Sequence, residues 1–451
     1  MLVKYSMGFP IGDTHYRRRP KATLGLILVN VLVYLLTSYD NFFISVSNYW
    51  VSSGGFVPAL FEDPTQVYRV LTSMFLHGDI FHIFFNMYFL YIFGRAVEDV
   101  LGSSRYLVLY FISGVSATLF HVTFSFLGGL SSYAIPAIGA SGAISGVLGA
   151  YLIFYPGTSL TACWIFFVFP MCFSLKASLY LILWFVTQVI YGYAKIAGSV
   201  AVFAHAGGFL AGIAILPVIV DRSRLKELKF IEYIRSLPYL IFTYPEKRGL
   251  SKTSKTVLSL VIASIIVGGA FVLSALPDIG SVKVVNIQYT YDGTPYRDYV
   301  IVQLPNVQNY IAETPLDTTR ILLSRLNAVN LIYNKNSPNE DVRLENQSYV
   351  ITLRVGNVRR EVNLLIRYFN GYYDSEGFLA YGDGEIETQI LVVSGAQVYV
   401  IDNVIYQFTI NSKTTNLSRV TQNVGLSSII IASGALVVVL GKDKELALVG
   451  E

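Results

Sequence analysis

The chain has 451 residues, of which 53% are hydrophobic and only 14% are charged, about half the charged share of an average soluble protein. Its formal net charge of +4 is too small to indicate a nucleic-acid partner. The cysteines Cys163 and Cys172 both lie in an apolar region, which excludes a disulfide framework outside a membrane. The composition therefore predicts a protein that resides in the lipid bilayer.

Six apolar segments in the first half of the chain are long enough to cross a bilayer. They are 22–39, 80–98, 105–127, 139–155, 176–192 and 201–220. The basic cluster Arg17, Arg18, Arg19 and Lys21 precedes the first segment and predicts a cytoplasmic N-terminus with an uncleaved anchor. Basic residues that follow span two and span six fall on the same side, so the alternation is self-consistent.

Three connecting segments have distinct characters. Residues 40–79 form a long outer loop. The apolar stretch 160–175 predicts a re-entrant or interfacial hairpin, with a lipid-facing helix as the alternative. Residues 221–255 are basic, with apolar residues at helical spacing, which predicts an amphipathic cytoplasmic segment on the membrane surface.

The second half of the chain predicts a seventh span at 256–276 and an eighth within 424–451, closed by Lys442 and Lys444. Between them, residues 277–423 alternate apolar and polar side chains, which is typical of strands. This segment is long enough for a core of its own and is expected outside the cytoplasm. The sequons at Asn346 and Asn416 agree with that placement.

Turn and cap signals divide the outer domain further. Three dipeptides predict hairpin turns: Asp292-Gly293, Gly356-Asn357 and Asp402-Asn403. Thr314 as N-cap, Pro315 at the first helical position and Asp317 in the capping-box position predict one helix.

Polar side chains of complementary chemistry lie at matching depth on three spans. His82 and Asn86 come early in span two, Ser141 early in span four and His205 early in span six. Polar groups at membrane depth are costly, so their default interpretation is functional. Serine needs a base to accept its proton, whereas His82 and Asn86 share a helix face and can donate hydrogen bonds to an oxyanion. The nearest carboxylates lie at the ends of the spans, so we expect a Ser141–His205 dyad without an acid.

Small residues support a close approach of spans four and six. They are Gly142, Gly146 and Ala150 on one span and Ala204, Gly208 and Gly212 on the other. Facing stripes of this kind bring helix backbones together, which predicts contact between Ser141 and His205.

These motifs resemble the rhomboid family of intramembrane serine proteases over about residues 20–220. The matching runs are Gly139-Ala140-Ser141-Gly142, His77-Gly78, His82 to Asn86 and Ala204-His205-Ala206-Gly207-Gly208-Phe209. Tyr68-Arg69 is similar to the family's aromatic–arginine pair. The resemblance implies Ser141 as nucleophile, His205 as general base, and His82 and Asn86 as oxyanion donors. One departure is Ser145, where some relatives have an aromatic residue that stacks on the catalytic histidine.

The resemblance implies membrane-protein substrates that enter laterally, with no cofactor or metal. Its rival is a non-proteolytic membrane chaperone or trafficking factor that binds client spans. His77, His121 and Arg69 are interpreted as structural, the arginine as a loop anchor. Tyr193–Ser199 is either a substrate lid or an ordinary loop. An unknown partner of the outer domain is an open alternative.

The predicted fold is thus an α-helical polytopic membrane protein with a six-helix rhomboid-like core. Two further transmembrane helices flank a β-rich extracytoplasmic domain. The expected divisions are 1–220, 221–255, 256–276, 277–423 and 424–451. The expected location is the cell membrane, with both termini cytoplasmic.

Overall fold

A computed structural model of the chain describes residues 9–12, 18–166, 169–195, 202–240, 249–275, 281–303, 316–355, 358–394 and 397–450. All eight predicted spans are helices. The helices are α1 (Lys21–Ser38), α2 (Asn48–Gly54), α3 (Arg69–Thr72), α4 (Ile80–Leu101), α5 (Ser103–Ser125), α6 (Ser141–Phe154), α7 (Ala177–Tyr193), α8 (Val202–Ile219), α9 (Arg222–Leu240), α10 (Lys252–Ala275), α11 (Asp317–Ala328), α12 (Leu417–Gly441) and α13 (Asp443–Leu446). By length and composition, six of the described helices could cross a membrane, and α6 and α7 are shorter apolar helices.

The strands divide between a small sheet beside the helices and a large one in the second half of the chain. They are β1 (Phe9–Gly12), β2 (Ser159–Phe166), β3 (Phe169–Lys176), β4 (Ser281–Tyr291), β5 (Thr294–Gln303), β6 (Asp341–Val355), β7 (Val358–Tyr373), β8 (Leu379–Ser394) and β9 (Gln397–Asn416). The chain is therefore a polytopic helical membrane protein with a β-rich domain.

Helix α8 packs against α5 and α6 at the centre of the bundle. The glycine stripes face each other as predicted: a Cβ at Gly208 would overlap the backbone oxygen of Gly142, and one at Gly212 that of Gly146. Only a residue without a side chain allows such an approach, so these glycines set the distance between α6 and α8. Helix α12 also packs against α5 and α8, and α10 packs against α12 and α7.

The apolar stretch 160–175 is a β-hairpin, which confirms the hairpin interpretation over the helical one. Strands β2 and β3 pair antiparallel from Ser159 with Lys176 to Phe166 with Phe169. Strand β1 adds to the other edge of β2. The sheet follows α6 directly and ends where α7 begins.

The start of α1, helix α9 and the C-terminal tail meet at one end of the bundle, here called the tail end. Arg224 of α9 donates to the carboxylate of Asp99 at 3.0 Å, and both side chains are buried. The tail reaches back to α6, where the N–H of Leu448 donates to the carbonyl of Phe154 at 2.7 Å. This contact satisfies an open carbonyl in the last turn of α6.

The large sheet is fully antiparallel, in the order β5-β4-β9-β8-β7-β6. Helix α11 contributes Leu322, Leu323 and Leu326 to a core that also holds Ile366 and Phe369. The Asp292-Gly293 turn is confirmed: Tyr291 pairs with Thr294, and both turn residues have positive φ, as a two-residue hairpin turn requires.

Two other predictions, the turn at Gly356-Asn357 and the helix cap at Thr314, fall partly on residues outside the described ranges. The predicted strands around Gly356-Asn357 do pair, Val355 with Val358, but the dipeptide lies outside the described residues. Thr314 and Pro315 also lie outside them. The helix begins at Asp317, whereas the prediction placed its N-cap at Thr314 and Asp317 within its first turn.

The prediction of a turn at Asp402-Asn403 is wrong, because β9 runs through it without a break. Thr388 pairs with Val404 and Ile390 with Ile401, so β9 has one more residue than β8 in this interval. The dipeptide therefore forms a β-bulge, which polar residues accommodate as readily as a turn.

The β domain rests on the loop between α1 and α4, here called the loop end of the bundle (residues 39–79). Arg69 is buried and donates to the carbonyls of Ser52 and Gly55 and to the hydroxyl of Tyr299 on β5, the last at 2.6 Å. Arg69 is thus a loop anchor, as predicted, and it also holds the β domain.

Candidate active site

Ser141 and His205 lie in direct contact, one at the start of α6 and the other near the start of α8. The distance from the serine Oγ to the histidine Nε2 is 2.8 Å, a normal hydrogen-bond length. Both side chains are partly accessible, whereas most of their neighbours on α6 and α8 are buried. A hydroxyl that can pass its proton to an adjacent imidazole has the arrangement of an activated nucleophile.

The local backbone explains why Ser141 faces the site. Gly139 has φ of +122°, which a residue with a side chain rarely adopts, so the chain can turn sharply into α6. Ala140, the residue before the helix, has no side chain that could cap it. The N–H groups of the first turn are thus available at the start of α6, where the helix dipole favours negative charge.

Helix α6 is short. Its 14 residues span about 21 Å, less than the ~30 Å of a bilayer hydrocarbon core. Its C-terminal residue Phe154 contacts the tail end, so its first residue, Ser141, lies at the opposite end of this short helix.

His82 lies on the other side of the serine, on α4. Its ring contacts the backbone at Gly139, where a Cβ would lie 2.8 Å from Nε2 and 3.6 Å from the serine Oγ. The N–H of Gly78 donates to Nδ1 at 3.3 Å. A neutral ring that accepts at Nδ1 carries its proton on Nε2, so His82 presents a donor towards the serine.

Asn86 is buried one turn further along α4, and the structure places it behind His82. Its amide nitrogen donates to the carbonyl of His82 at 2.9 Å. An amide nitrogen has two hydrogens, so this bond still leaves one for another acceptor. The four predicted site residues are thus gathered on α4, α6 and α8, with Ser141 and His205 in hydrogen-bond contact.

His77 is part of the same cluster, although the sequence indicated only a structural role. It is fully buried, its ring lies 5.1 Å from that of His82, and its Nε2 accepts the N–H of Ala140 at 3.4 Å. His77 thus fixes the backbone next to the serine. His121 lies apart from the site, with its ring near Phe56.

Two residues of α7 that contact the base were not predicted from the sequence. Gln188 places Oε1 2.8 Å from Nδ1 of His205, and the Trp184 ring lies 6.2 Å from the imidazole. Ser145, where some relatives have an aromatic residue, donates its hydroxyl to the carbonyl of Ser141. The signal for Gln188 was present, since it is a polar residue inside an apolar span.

The predicted lid, Tyr193–Ser199, is described only in part. Tyr193 ends α7, and its hydroxyl donates to the carbonyl of Ser264 on α10 at 2.7 Å. Residues 196–199 lie outside the described ranges. The lid interpretation stays a prediction.

The family model described as the Rhomboid domain matches residues 64–222, which contain all four predicted site residues. Residues 64–222 are thus similar to the Rhomboid domain, and the chain is similar to rhomboid proteins over this part. The match ends before α10, so the β domain and its two flanking helices lie outside the rhomboid domain.

Three relatives show the range of the family. The chain is 28% identical over 204 residues to Rhomboid protein 1, mitochondrial, of Saccharomyces cerevisiae, which covers 44% of this chain and 54% of that protein. It is 40% identical over 85 residues to Rhomboid protease GluP of Bacillus subtilis, covering 19% and 15%. It is 37% identical over 87 residues to Inactive RHOMBOID-like protein 8 of Arabidopsis thaliana, covering 19% and 23%. The chain thus spans about half or less of the length of each.

Proposed function

We propose that this chain is an intramembrane serine endopeptidase that cleaves transmembrane segments of other membrane proteins with a Ser141–His205 dyad. The observation that carries the proposal is the 2.8 Å contact between the serine Oγ and Nε2 of the histidine. The match of residues 64–222 to the Rhomboid domain supports it, as do relatives that are named proteases, GluP and Rhomboid-like protease 3 of Toxoplasma gondii. No cofactor is needed for this chemistry.

The reaction follows from the contact. The Ser141 oxygen attacks the scissile carbonyl carbon while its proton passes to His205, which gives a tetrahedral intermediate. The carbon–nitrogen bond then breaks, and the proton leaves on the amine of the departing segment. Water attacks the resulting ester and gives a proton to His205. When the ester bond breaks, that proton returns to the serine oxygen, so the enzyme is restored.

Negative charge on the carbonyl oxygen is stabilised by three donors. His82 supplies Nε2–H, Asn86 supplies an amide hydrogen, and Ser141 supplies its own backbone N–H at the start of α6. Donors fixed before the reaction stabilise an oxyanion strongly in a site of low dielectric constant. The bond from Asn86 to the His82 carbonyl holds that amide in place.

The substrate enters laterally from the lipid, where its helix unwinds to expose a carbonyl. The enzyme is a multi-pass protein of the cell membrane with both termini cytoplasmic and residues 277–423 extracytoplasmic. The basic residues support this orientation, because the start of α1 and Lys442 both lie at the tail end. The divisions at 220, 255, 276 and 423 are proposed as the domain limits.

Labelling of the full-length protein in lipid with a fluorophosphonate tests the proposal. Wild type is expected to react, Ser141→Ala is expected not to, and Ser116→Ala, which changes a buried serine of α5, is expected to react like wild type. Equal labelling of wild type and Ser141→Ala would contradict the assignment. Absence of labelling in all three correctly inserted proteins would favour the non-proteolytic alternative, a rhomboid that binds client spans.

A further inference from the structure

The base of the proposed dyad has a second hydrogen bond, from a third helix. Nδ1 of His205 lies 2.8 Å from Oε1 of Gln188, while Nε2 lies 2.8 Å from the Ser141 oxygen. We propose that Gln188 is the positioning residue of this site: its amide oxygen accepts Nδ1–H of His205 and thereby keeps Nε2 free to accept the serine proton. The inference rests on the proposed function of the dyad.

The tautomer follows from the chemistry of the partner. A neutral imidazole has one protonated and one unprotonated nitrogen, and an amide oxygen can only accept. With Oε1 against Nδ1, the proton is on Nδ1, so the lone pair of Nε2 faces the serine. The opposite tautomer would place N–H against the serine oxygen and could not remove its proton.

An amide suits this position better than the carboxylate that commonly orients such a histidine. A carboxylate inside a membrane is costly unless it is paired. The glutamine supplies the same acceptor without a net charge, and it does so from a partly accessible position on α7. It therefore selects the tautomer and the ring orientation without the cost of a buried charge.

A second contact from α7 limits the rotation of the imidazole. Trp184 is four residues before Gln188, so both side chains lie on one face of the helix. Its ring centroid is 6.2 Å from that of His205, with an angle of 35° between the planes. Trp184 also lies 5.9 Å from Phe209 of α8. One face of α7 thus contacts His205 twice: Gln188 bonds to a ring nitrogen, and Trp184 packs near the ring.

These contacts cross from α7 to α8, so His205 is correctly positioned only while the two helices lie together. The C-terminal end of α7, about one to two turns beyond these contacts, is held by α10: a Cβ at Gly268 would overlap the Tyr193 hydroxyl, and that hydroxyl donates to the carbonyl of Ser264. The position of the His205 imidazole therefore depends on the packing of α7 as well as on its contact with Ser141.

Labelling rates across a pH series separate positioning from packing. In the full-length protein in lipid, Gln188→Leu removes the acceptor and is expected to lower the rate on the order of 10–100-fold. Gln188→Glu keeps an acceptor and is expected to recover most of the rate. In the glutamate variant, the acid limb of the curve of labelling rate against pH should move to higher pH, because a carboxylate stabilises the protonated imidazole. Thr187→Val is the control, since the Thr187 hydroxyl donates within α7, to the carbonyl of Trp184.

A spectroscopic measurement makes the test independent of catalysis. The ¹⁵N resonances of His205, identified by their loss in His205→Asn, report which ring nitrogen carries the proton. We expect Nδ1–H in wild type and a shift towards Nε2–H in Gln188→Leu, whether or not any substrate is cleaved. An unchanged tautomer would overturn the proposal, as would equal losses in the leucine and glutamate variants without movement of the acid limb. Failure of wild type to label would count against the proposed function alone.

Discussion

The contact between α6 and α8 and the core of the β domain are held together by different means. Helices α6 and α8 meet backbone to backbone, so that Gly208 of α8 lies directly against Gly142 of α6. In the β domain, large side chains such as Phe369, Tyr373 and Leu322 fill the space between the sheet and α11, and all are fully buried. The helix contact therefore has no room for an added atom, whereas the core of the β domain cannot lose one without a cavity.

The largest effect is expected where an atom is added to the core. Gly208→Ala places a methyl group on the Gly142 carbonyl, so α6 and α8 must separate and the Ser141–His205 hydrogen bond must lengthen. Overpacking of this kind costs about 1–3 kcal/mol or more. We expect loss of fluorophosphonate labelling and a lower Tm. Gly25→Ala on α1, where nothing lies within 4 Å, is the matched control. Unchanged labelling of Gly208→Ala would show that the added methyl group does not separate Ser141 from His205.

Removal of atoms from the β domain is expected to have a smaller effect on labelling, because it destabilises a separate region. Leu322→Ala leaves a cavity beneath α11 and costs about 2–5 kcal/mol of that domain's stability. Limited proteolysis should cut the β domain at lower temperature, while labelling at the serine stays within about twofold of wild type. Val350→Ala, on the exposed face of edge strand β6, should change neither. Simultaneous loss of labelling would show that the two regions unfold as one unit.

The contact between the two regions can be weakened at one atom. Tyr299→Phe keeps the ring over the Arg69 guanidinium but removes the hydroxyl that accepts from it. A buried donor left without its acceptor costs about 1–3 kcal/mol. Hydrogen exchange in the segment 297–301 should accelerate in this variant. It should not accelerate in Tyr39→Phe, which changes an exposed tyrosine of the loop end. Equal exchange in both would mean that the ring contact alone holds the domain.

The smallest effect is expected at the ion pair between Asp63 of the loop end and Lys413 of β9, 2.9 Å apart. Burial raises the pKa of Asp63, but hydrogen bonds from Lys413 and Thr65 outweigh it, so the pKa lies below its ordinary value of 3.8. The stabilisation is therefore complete above about pH 4 and is lost as the pH falls further. At pH 6, Asp63→Asn should lower stability by about 0.2–1 kcal/mol, and below the pKa the two proteins should melt alike. A difference that does not shrink as the pH falls below 4 would exclude the ion pair as its cause.

Much of the core could be predicted because its signals are local. Each span is an uninterrupted apolar segment, and the spacing of Gly142 and Gly146 against Gly208 and Gly212 indicates which faces meet. The same reasoning brought Ser141 and His205 together. Small-residue spacing could not identify Gln188, because this residue has large neighbours in the sequence. Its contact with His205 depends on how α7 is rotated against α8.

The β domain was predictable in kind but not in pairing. Alternation indicates strands, yet a polar dipeptide such as Asp402-Asn403 suits a bulge as well as a turn, and only the partner strand decides between them. The hydrogen bond from Arg69 to Tyr299 joins residues 230 positions apart, and no local sequence pattern predicts it. Contacts of that kind are fixed by the packing of whole domains.

Strand β9 runs for 20 residues and passes into the 25 residues of α12 with no loop between them. Asn416 closes the junction, since its side chain accepts the N–H of Arg419 at 2.9 Å. Strand and helix therefore follow each other directly, and α12 packs against α5 and α8. A displacement of β9 by a bound molecule would pass, with no loop in between, to a helix that packs against α8, which carries His205.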